Sequence, residues 1–271
     1  MLRFAIIASG LLSLARASLV QAPVQDGVAI TFLANEGVLL SSGRHKVLID
    51  ALFQKYETGF AIPPDSTRAA LEQASAPFDS VALILVTHRH GDHFHPSSVV
   101  AHMRANVHAR LLTSAQVIDS LSGRLVGTHG LASRMLPRTT PSGVRRTEII
   151  DGITVHVLGL PHGGQRHRAV EHLGYIVELG GRRVLHVGDT EIGEAAFAPF
   201  RLDTARIDVA LLPQWMVTSD DGRRTIERWI RPKQVVAMHV GEGRGEDAIR
   251  DVRAAFPGAV TLTRSLETRH W

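Results

Sequence analysis

Six consecutive residues, His88-Arg89-His90-Gly91-Asp92-His93, constrain this 271-residue chain more than any other feature. They place three imidazoles and a carboxylate directly after Val81-Ala82-Leu83-Ile84-Leu85-Val86, a run apolar at every position. Such a run reads as a strand covered on both faces, so the loop that follows it leaves a buried sheet. Imidazole nitrogen and carboxylate oxygen are ligands for borderline-hard divalent metals, and Gly91 allows the tight bend that makes side chains converge. The chain is rich in histidine, with 15 residues, and has no cysteine. Even so, chance would produce this spacing in only about a few chains per thousand. Thiolate ligands and disulfides are excluded, so a metal site must use histidine and carboxylate.

From about Val28 onward, short apolar runs alternate with helix-like segments, the pattern of mixed α/β layering. Strands are expected over Ala29–Leu33, Val38–Leu40 and Lys46–Ile49, with turns at Asn35-Glu36-Gly37 and Ser41-Ser42-Gly43. Helices are expected over Thr67–Ala74, from Pro96 through Met103, from a Ser114 cap to Leu121, and over Glu246–Phe256. Further strands are expected at Ile153–Leu158, Tyr175–Leu179, Arg183–Val187, Val209–Leu212 and Val235–His239. Strand after strand runs into a candidate ligand: His88, His162, Asp189 and His239. Ligands at strand ends can meet at one edge of a sheet core. The chain also divides near residue 145 into two halves of similar style.

Residues 1–17 read as a secretory signal peptide: Arg3, an apolar stretch from Phe4 to Leu14, then Ala15-Arg16-Ala17. The stretch falls short of the roughly 20 residues that span a bilayer, so no stable membrane anchor is expected. Residues 18–271 form the expected single domain of a periplasmic or secreted protein. The formal net charge is +4, and Arg3 and Arg16 lie in the signal segment, so a chain from Ser18 carries +2. That field is too weak to predict a nucleic-acid partner.

The chain resembles the metallo-β-lactamase fold superfamily, and within it the branch containing ascorbate-6-phosphate lactonase. The likeness is carried by Ile49-Asp50, Thr87 to His93, Pro161-His162-Gly163-Gly164, His186-Val187-Gly188-Asp189-Thr190 and Met238-His239-Val240. It implies an α/β fold, a four-layer αββα sandwich. It also implies two divalent cations: His88, His90 and His162 on one, Asp92, His93 and His239 on the other, and Asp189 bridging them. Zinc suits the imidazole count, with manganese or iron as alternatives. Asp50 matches a position that orients the ligand loop. The bridging aspartate is generally missing from β-lactam-cleaving members, which disfavours antibiotic hydrolysis.

The expected activity is a metal-dependent hydrolase in which a dinuclear metal-bound hydroxide cleaves an ester, lactone or amide bond in a small molecule. Asp92 would ligate and orient the nucleophile, and His95 would deliver protons. Two alternatives stay open: a phosphodiesterase of the same fold, and an exported metal-binding protein without turnover. Substrate choice is assigned to Phe53, Tyr56, Phe60, Phe94 and Trp215-Met216, with Arg166 and Arg168 as candidates for recognising an anion. His186 is placed in the core or behind the ligands and His172 is left open, while His102, His108, His129, His156, His167 and His270 are read as structural or solvated.

Overall fold

The computed structural model describes residues 27–54, 59–125 and 130–271. The expected signal segment, Tyr56 and His129 lie outside the described residues. The first sheet is built from β1 (Ala29–Ala34), β2 (Gly37–Ser42), β3 (His45–Ile49), β4 (Leu83–Leu85), β5 (Arg110–Thr113) and β6 (Met135–Pro137). The second contains β7 (Arg145–Ile150), β8 (Ile153–Gly159), β9 (Leu173–Leu179), β10 (Arg182–His186), β11 (Val209–Pro213), β12 (Gln234–Met238) and β13 (Val260–Thr261). A final strand, β14 (Thr268–His270), returns to the first sheet and pairs antiparallel with β1.

Both sheets follow one plan. Strands β1, β2 and β3 pair antiparallel, and β3 to β6 then run parallel. Strands β7 to β10 pair antiparallel, and β10 to β13 then run parallel. Parallel neighbours need a crossover, and helices supply it in each half. In the first half these are Asp65–Glu72, Pro96–Ala105 and Ala115–Asp119. In the second they include Glu194–Phe197, Gln214–Thr218, Asp220–Thr225 and Gly245–Ala255.

Side-chain alternation sorts the strands into layers. Val47, Ile49, Leu83 and Leu85 face inward against Val157, Tyr175, Val209 and Leu211 of the second sheet. Leu48, Ile84 and Leu111 face outward and pack on Leu71, Val99 and Met103 of the helices. Ala210, Leu212 and Ala237 do the same on the other side, against Phe197, Met216, Ile230 and Val252. The αββα sandwich implied by the resemblance is therefore the observed one. It also explains the unbroken apolar run before the histidine loop: β4 is covered by the opposite sheet on one face and by helices on the other.

Element boundaries moved where turn chemistry decided them. The helix expected at Thr67–Ala74 runs over Asp65–Glu72, just after Pro64, and Ala74 lies beyond it in a left-handed conformation at φ 47°. Ser114 caps its helix as expected, its hydroxyl accepting from the Val117 amide at 3.3 Å.

Candidate metal centre

The end of β4 is held from several directions before the loop begins. The Val86 carbonyl accepts from Tyr175 Oη of the opposite sheet at 2.7 Å and from Thr113 Oγ1 at 2.8 Å. The Leu173 amide donates to the Thr87 carbonyl at 2.9 Å. From this anchored start the loop turns its side chains into one edge of the sandwich. His88 Nε2 stands 3.0 Å from His90 Nδ1, and His162 Nε2, from the segment after β8, stands 3.1 Å from the same nitrogen. Asp189 Oδ2 lies 3.9 Å from both His88 Nε2 and His162 Nε2.

A second group forms beside the first. Asp92 Oδ2 lies 3.5 Å from His93 Nε2 and 3.4 Å from His239 Nε2. Asp189 Oδ1 completes it at 3.4 Å from His93 Nε2 and 3.2 Å from His239 Nε2. One carboxylate thus presents a different oxygen to each group. All the residues that the resemblance placed on metals, His88, His90, Asp92, His93, His162, Asp189 and His239, are brought together as two clusters able to hold a metal ion.

Two observations fit this donor set to cations. Nitrogens bound at 2.0–2.1 Å around a tetrahedral ion stand about 3.3 Å apart, and the spacings here scatter around that value. In addition, His93 Nε2, His239 Nε2 and Asp189 Oδ1 are buried and make no hydrogen bond. Buried polar atoms are nearly always satisfied, so converging orphans call for a partner that all of them can share.

The outer nitrogens explain why the inner ones are free to ligate. Asp50, at the end of β3, accepts from the Thr87 amide (2.7 Å) with Oδ1, and from the Thr87 hydroxyl (2.6 Å) and His93 Nδ1 (2.9 Å) with Oδ2. Since the Thr87 proton is given to Asp50, His88 Nδ1 must donate to Thr87 Oγ1 across their 2.9 Å contact, which leaves the His88 Nε2 lone pair facing inward. His162 Nδ1 donates to the Gly163 carbonyl at 2.7 Å, with the same result. The orienting role expected of Asp50 is what this geometry provides.

A residue read only as turn-forming carries a similar task. Asn35, between β1 and β2, donates its side-chain amide to Asp92 O at 3.1 Å and Oδ2 at 3.3 Å, while its carbonyl accepts from the His239 amide at 2.9 Å. It ties a ligand of the first half to one of the second. Asn35, Asp50 and His239 all have left-handed backbones, with φ of 51°, 45° and 57°. Asparagine and aspartate adopt that conformation more readily than most side chains, for which it costs about 1–2 kcal/mol, and such backbones gather at functional sites. At Gly188 (φ 58°), just ahead of Asp189, a Cβ would stand 2.7 Å from His172 Nε2 and 2.9 Å from Thr87.

The two clusters differ electrostatically. Burial depresses the imidazoles of the first: His88 well below its ordinary value, His90 to about 4, and His162 downward as well. In the second, burial acts the same way, but Asp189 and the other carboxylates outweigh it. They raise His93 well above its ordinary value and His239 to about 9. Reciprocally, burial would raise Asp189, yet His93 and His239 hold it well below the carboxylate range.

Other assignments divide. His95 Nδ1 donates to Ser98 Oγ at 3.0 Å, and Ser98 Oγ donates to Glu72 Oε1 at 2.6 Å. This network at the start of helix Pro96–Ala105 occupies His95, and none of its contacts reaches a cluster. Phe53, Phe94 and Met216 are buried in the core, not in a pocket. Trp215 and Phe60 do reach the site, their rings edge-on to His239 at 4.7 and 5.5 Å. His167, read as structural or solvated, sits 4.8 Å from the His90 ring and 4.7 Å from the His162 ring. His172 is buried against His88 and His162.

Glu36, Asp50 and His186 form a third, fully buried group. Asp50 and His186 are already engaged, and only the buried Glu36 carboxyl oxygens lack a hydrogen-bond partner. Asp50 already accepts three hydrogen bonds, and His186 Nε2 donates to the Glu36 carbonyl at 2.9 Å while Nδ1 accepts from the Gly188 amide at 3.3 Å. The 3.9 Å approach of His186 to Glu36 Oε2 is therefore not an ion pair. Burial first, and the Asp189 charge second, push the Glu36 carboxyl up to about 8.

A cavity of about 430 Å³ opens onto the site, lined by His162 and Asp189 together with Arg166, His167, Ile192 and Trp215. A larger one, about 840 Å³, lies between helix Gly245–Ala255 and the β13–β14 edge and includes no residue of either cluster.

Residues 45–259 match the family described as Beta-lactamase superfamily domain. A UPF0173 metal-dependent hydrolase from Thermus thermophilus is 30% identical over 221 residues, covering 78% of this chain and 83% of the relative. Among solved structures, a metallo hydrolase from Ignicoccus hospitalis superposes with a TM-score of 0.60 at 18% identity, covering 90% of this chain and 98% of that one. A possible metal-dependent hydrolase from Veillonella parvula gives 0.62 at 15%, covering 90% and 99%. Fold, clusters and likenesses together define a metal-dependent hydrolase of the metallo-β-lactamase fold. The chain belongs to the UPF0173 metal-dependent hydrolases within the β-lactamase superfamily.

Proposed function

We propose that this hydrolase is exported, holds one divalent cation in each cluster, and cleaves an ester, lactone or amide bond of a small molecule. The observation that carries the proposal is Asp189, whose two carboxylate oxygens face two separate sets of imidazoles. On the resemblance, a bridging aspartate here is kept by lactonases, phosphodiesterases and thioesterases and is generally missing from β-lactam-cleaving members. Zinc fits the imidazole-rich donor set best. Such a cation pair, when bound, supplies Lewis acidity and brings the pKa of water toward neutrality.

The chain's own residues hold and shape the site. Asp50 and Thr87 fix which nitrogens of His88 and His93 point inward, and Asn35 fixes Asp92. Trp215 and Phe60 wall the second cluster with apolar edges, which limits water and favours an apolar group beside the scissile bond. Proton delivery by His95 has no contact in its support.

The test is a hydrolysis screen of purified protein reconstituted with zinc and with manganese, across aryl esters, lactones, amides and aryl phosphodiesters, with His90→Ala as control. We expect two ions per chain by metal analysis and turnover of an ester, lactone or amide that the control lacks. A fully loaded protein inert on the whole panel, or active on phosphodiesters alone, overturns the reading.

A further inference from the structure

The cavity beside the first cluster contains a positioned guanidinium that neither cluster uses. Arg166 lies two residues past Gly164, whose φ of 82° lets the chain turn back over the site. Its Nε donates to His167 Nε2 at 2.8 Å. The His167 ring is packed in turn against His90 and His162. The side chain is exposed and tethered at its Nε end by this one bond, while its terminal nitrogens have no partner among the described residues. No carboxylate lies within ion-pair distance of it among those residues. Arg166 lines the cavity together with His162 and Asp189, the cluster residues at its floor.

Other residues of the lining have a different character. Ile192 and Trp215 are apolar, and Trp215 stands edge-on to His239. Glu191 also lines the cavity; it is exposed and makes no ion pair with Arg166. A ligand filling this space meets both a guanidinium and apolar surface. A planar guanidinium offers parallel N–H donors that match the oxygens of a carboxylate or phosphate. Anchoring at Nε lowers the ordering cost of that contact.

We propose that Arg166 is an anion subsite: the substrate carries an oxyacid group, a carboxylate or a phosphate-type group, bound by Arg166, with its apolar body against Ile192 and Trp215. This rests on the hydrolase reading above and narrows it to anionic esters, lactones or amides.

The experiment is calorimetric titration of the metal-loaded protein with phenylacetate, phenylphosphonate and benzyl alcohol, three probes with one apolar body and different head groups. At least one acid should bind about tenfold or more tighter than the alcohol, a difference of about 1.4 kcal/mol. Whichever acid wins identifies the oxyacid class. Arg166→Gln should remove most of that gain while leaving benzyl alcohol binding within about twofold, and Arg166→Lys should restore only part of it. Equal affinity for all three probes overturns the proposal. So does an acid preference that survives Arg166→Gln, because the acids would then be held by the clusters alone. Calorimetry reads binding independently of turnover, so a protein that passes this test yet hydrolyses nothing keeps the subsite and loses the hydrolytic reading.

Discussion

In the first half of the sandwich, the loop after β4 carries His88, His90, Asp92 and His93 within six positions. At the equivalent place in the second half, after β11, stands helix Gln214–Thr218 with Trp215. Asp50 follows β3 and works behind the ligands, whereas Asp189, past the matching strand β10, is the residue both clusters share. Repeated topology thus makes equivalent strand ends available at one edge, and the residue at each end decides whether it ligates, orients or walls the cavity. The first half concentrates its ligands on one loop; the second distributes His162, Asp189 and His239 over three strand ends.

The sharpest way to break this comparison is to remove the shared residue. Asp189→Asn should lower kcat/KM by roughly 10³, about 4 kcal/mol at 1.36 kcal/mol per tenfold, and deplete metal from both clusters. His90→Ala should deplete only the first. Mass-spectrometric metal counts beside the kinetics check this, and identical metal losses in the two variants would contradict a bridging Asp189.

Next in size are the residues that orient ligands. Asp50→Asn should weaken metal retention about 10- to 100-fold, since His93 and, through Thr87, His88 both depend on it. Asn35→Ala should cost about tenfold and only at the second cluster. Chelator competition against each variant separates the two patterns.

The clusters should also differ in proton linkage. His90, depressed to about 4, is neutral at pH 7, as are His88 and His162, which are lowered too. His239, raised to about 9, and His93, raised as well, hold protons that a cation must displace. Zinc entering the first cluster should release essentially no proton, and the second should release up to about two, so the second affinity falls as pH falls. Calorimetry in buffers of differing ionisation enthalpy measures this, and equal release at both steps would remove the asymmetry.

The smallest expected effect lies behind the site. Glu36 is raised from an ordinary 4.5 to about 8 in the folded protein. A raised carboxyl adds stability in full below its unfolded value and loses it as pH climbs through the folded one. Glu36→Gln keeps the shape without the charge. It should melt with the wild type near pH 4.5 and above it at pH 8, the gap opening as pH rises between the two values. A pH-independent difference in melting temperature would show that Glu36 is not neutral.

Periodicity revealed the mixed α/β layering, because a strand covered on both faces must be apolar throughout and the helices between strands need one apolar stripe; the four-layer αββα arrangement came from the resemblance. Strands β5, β6, β13 and β14 escaped notice because two to four residues show no period, and β7, Arg145-Arg146-Thr147-Glu148-Ile149-Ile150, is largely polar on an exposed edge. The histidine loop was legible because its ligands are neighbours in the chain. His162, Asp189 and His239 needed the resemblance to be joined to it, since spacing along a chain says nothing about which strand ends meet.

Several residues were decided by folding alone. An asparagine in a turn looks like any other turn former until its amide is seen on Asp92. Trp215 and Met216 are adjacent in sequence, yet the helix turns one toward His239 and buries the other in the core. Phe94 likewise follows the ligand loop but packs beneath it. Local order along the chain specifies strands, helices and the chemistry of a contiguous loop, because those depend on neighbours. Which distant side chains share a cation, and which aromatic lines a cavity, depends on how two sheets stack, and that is set by the whole core at once.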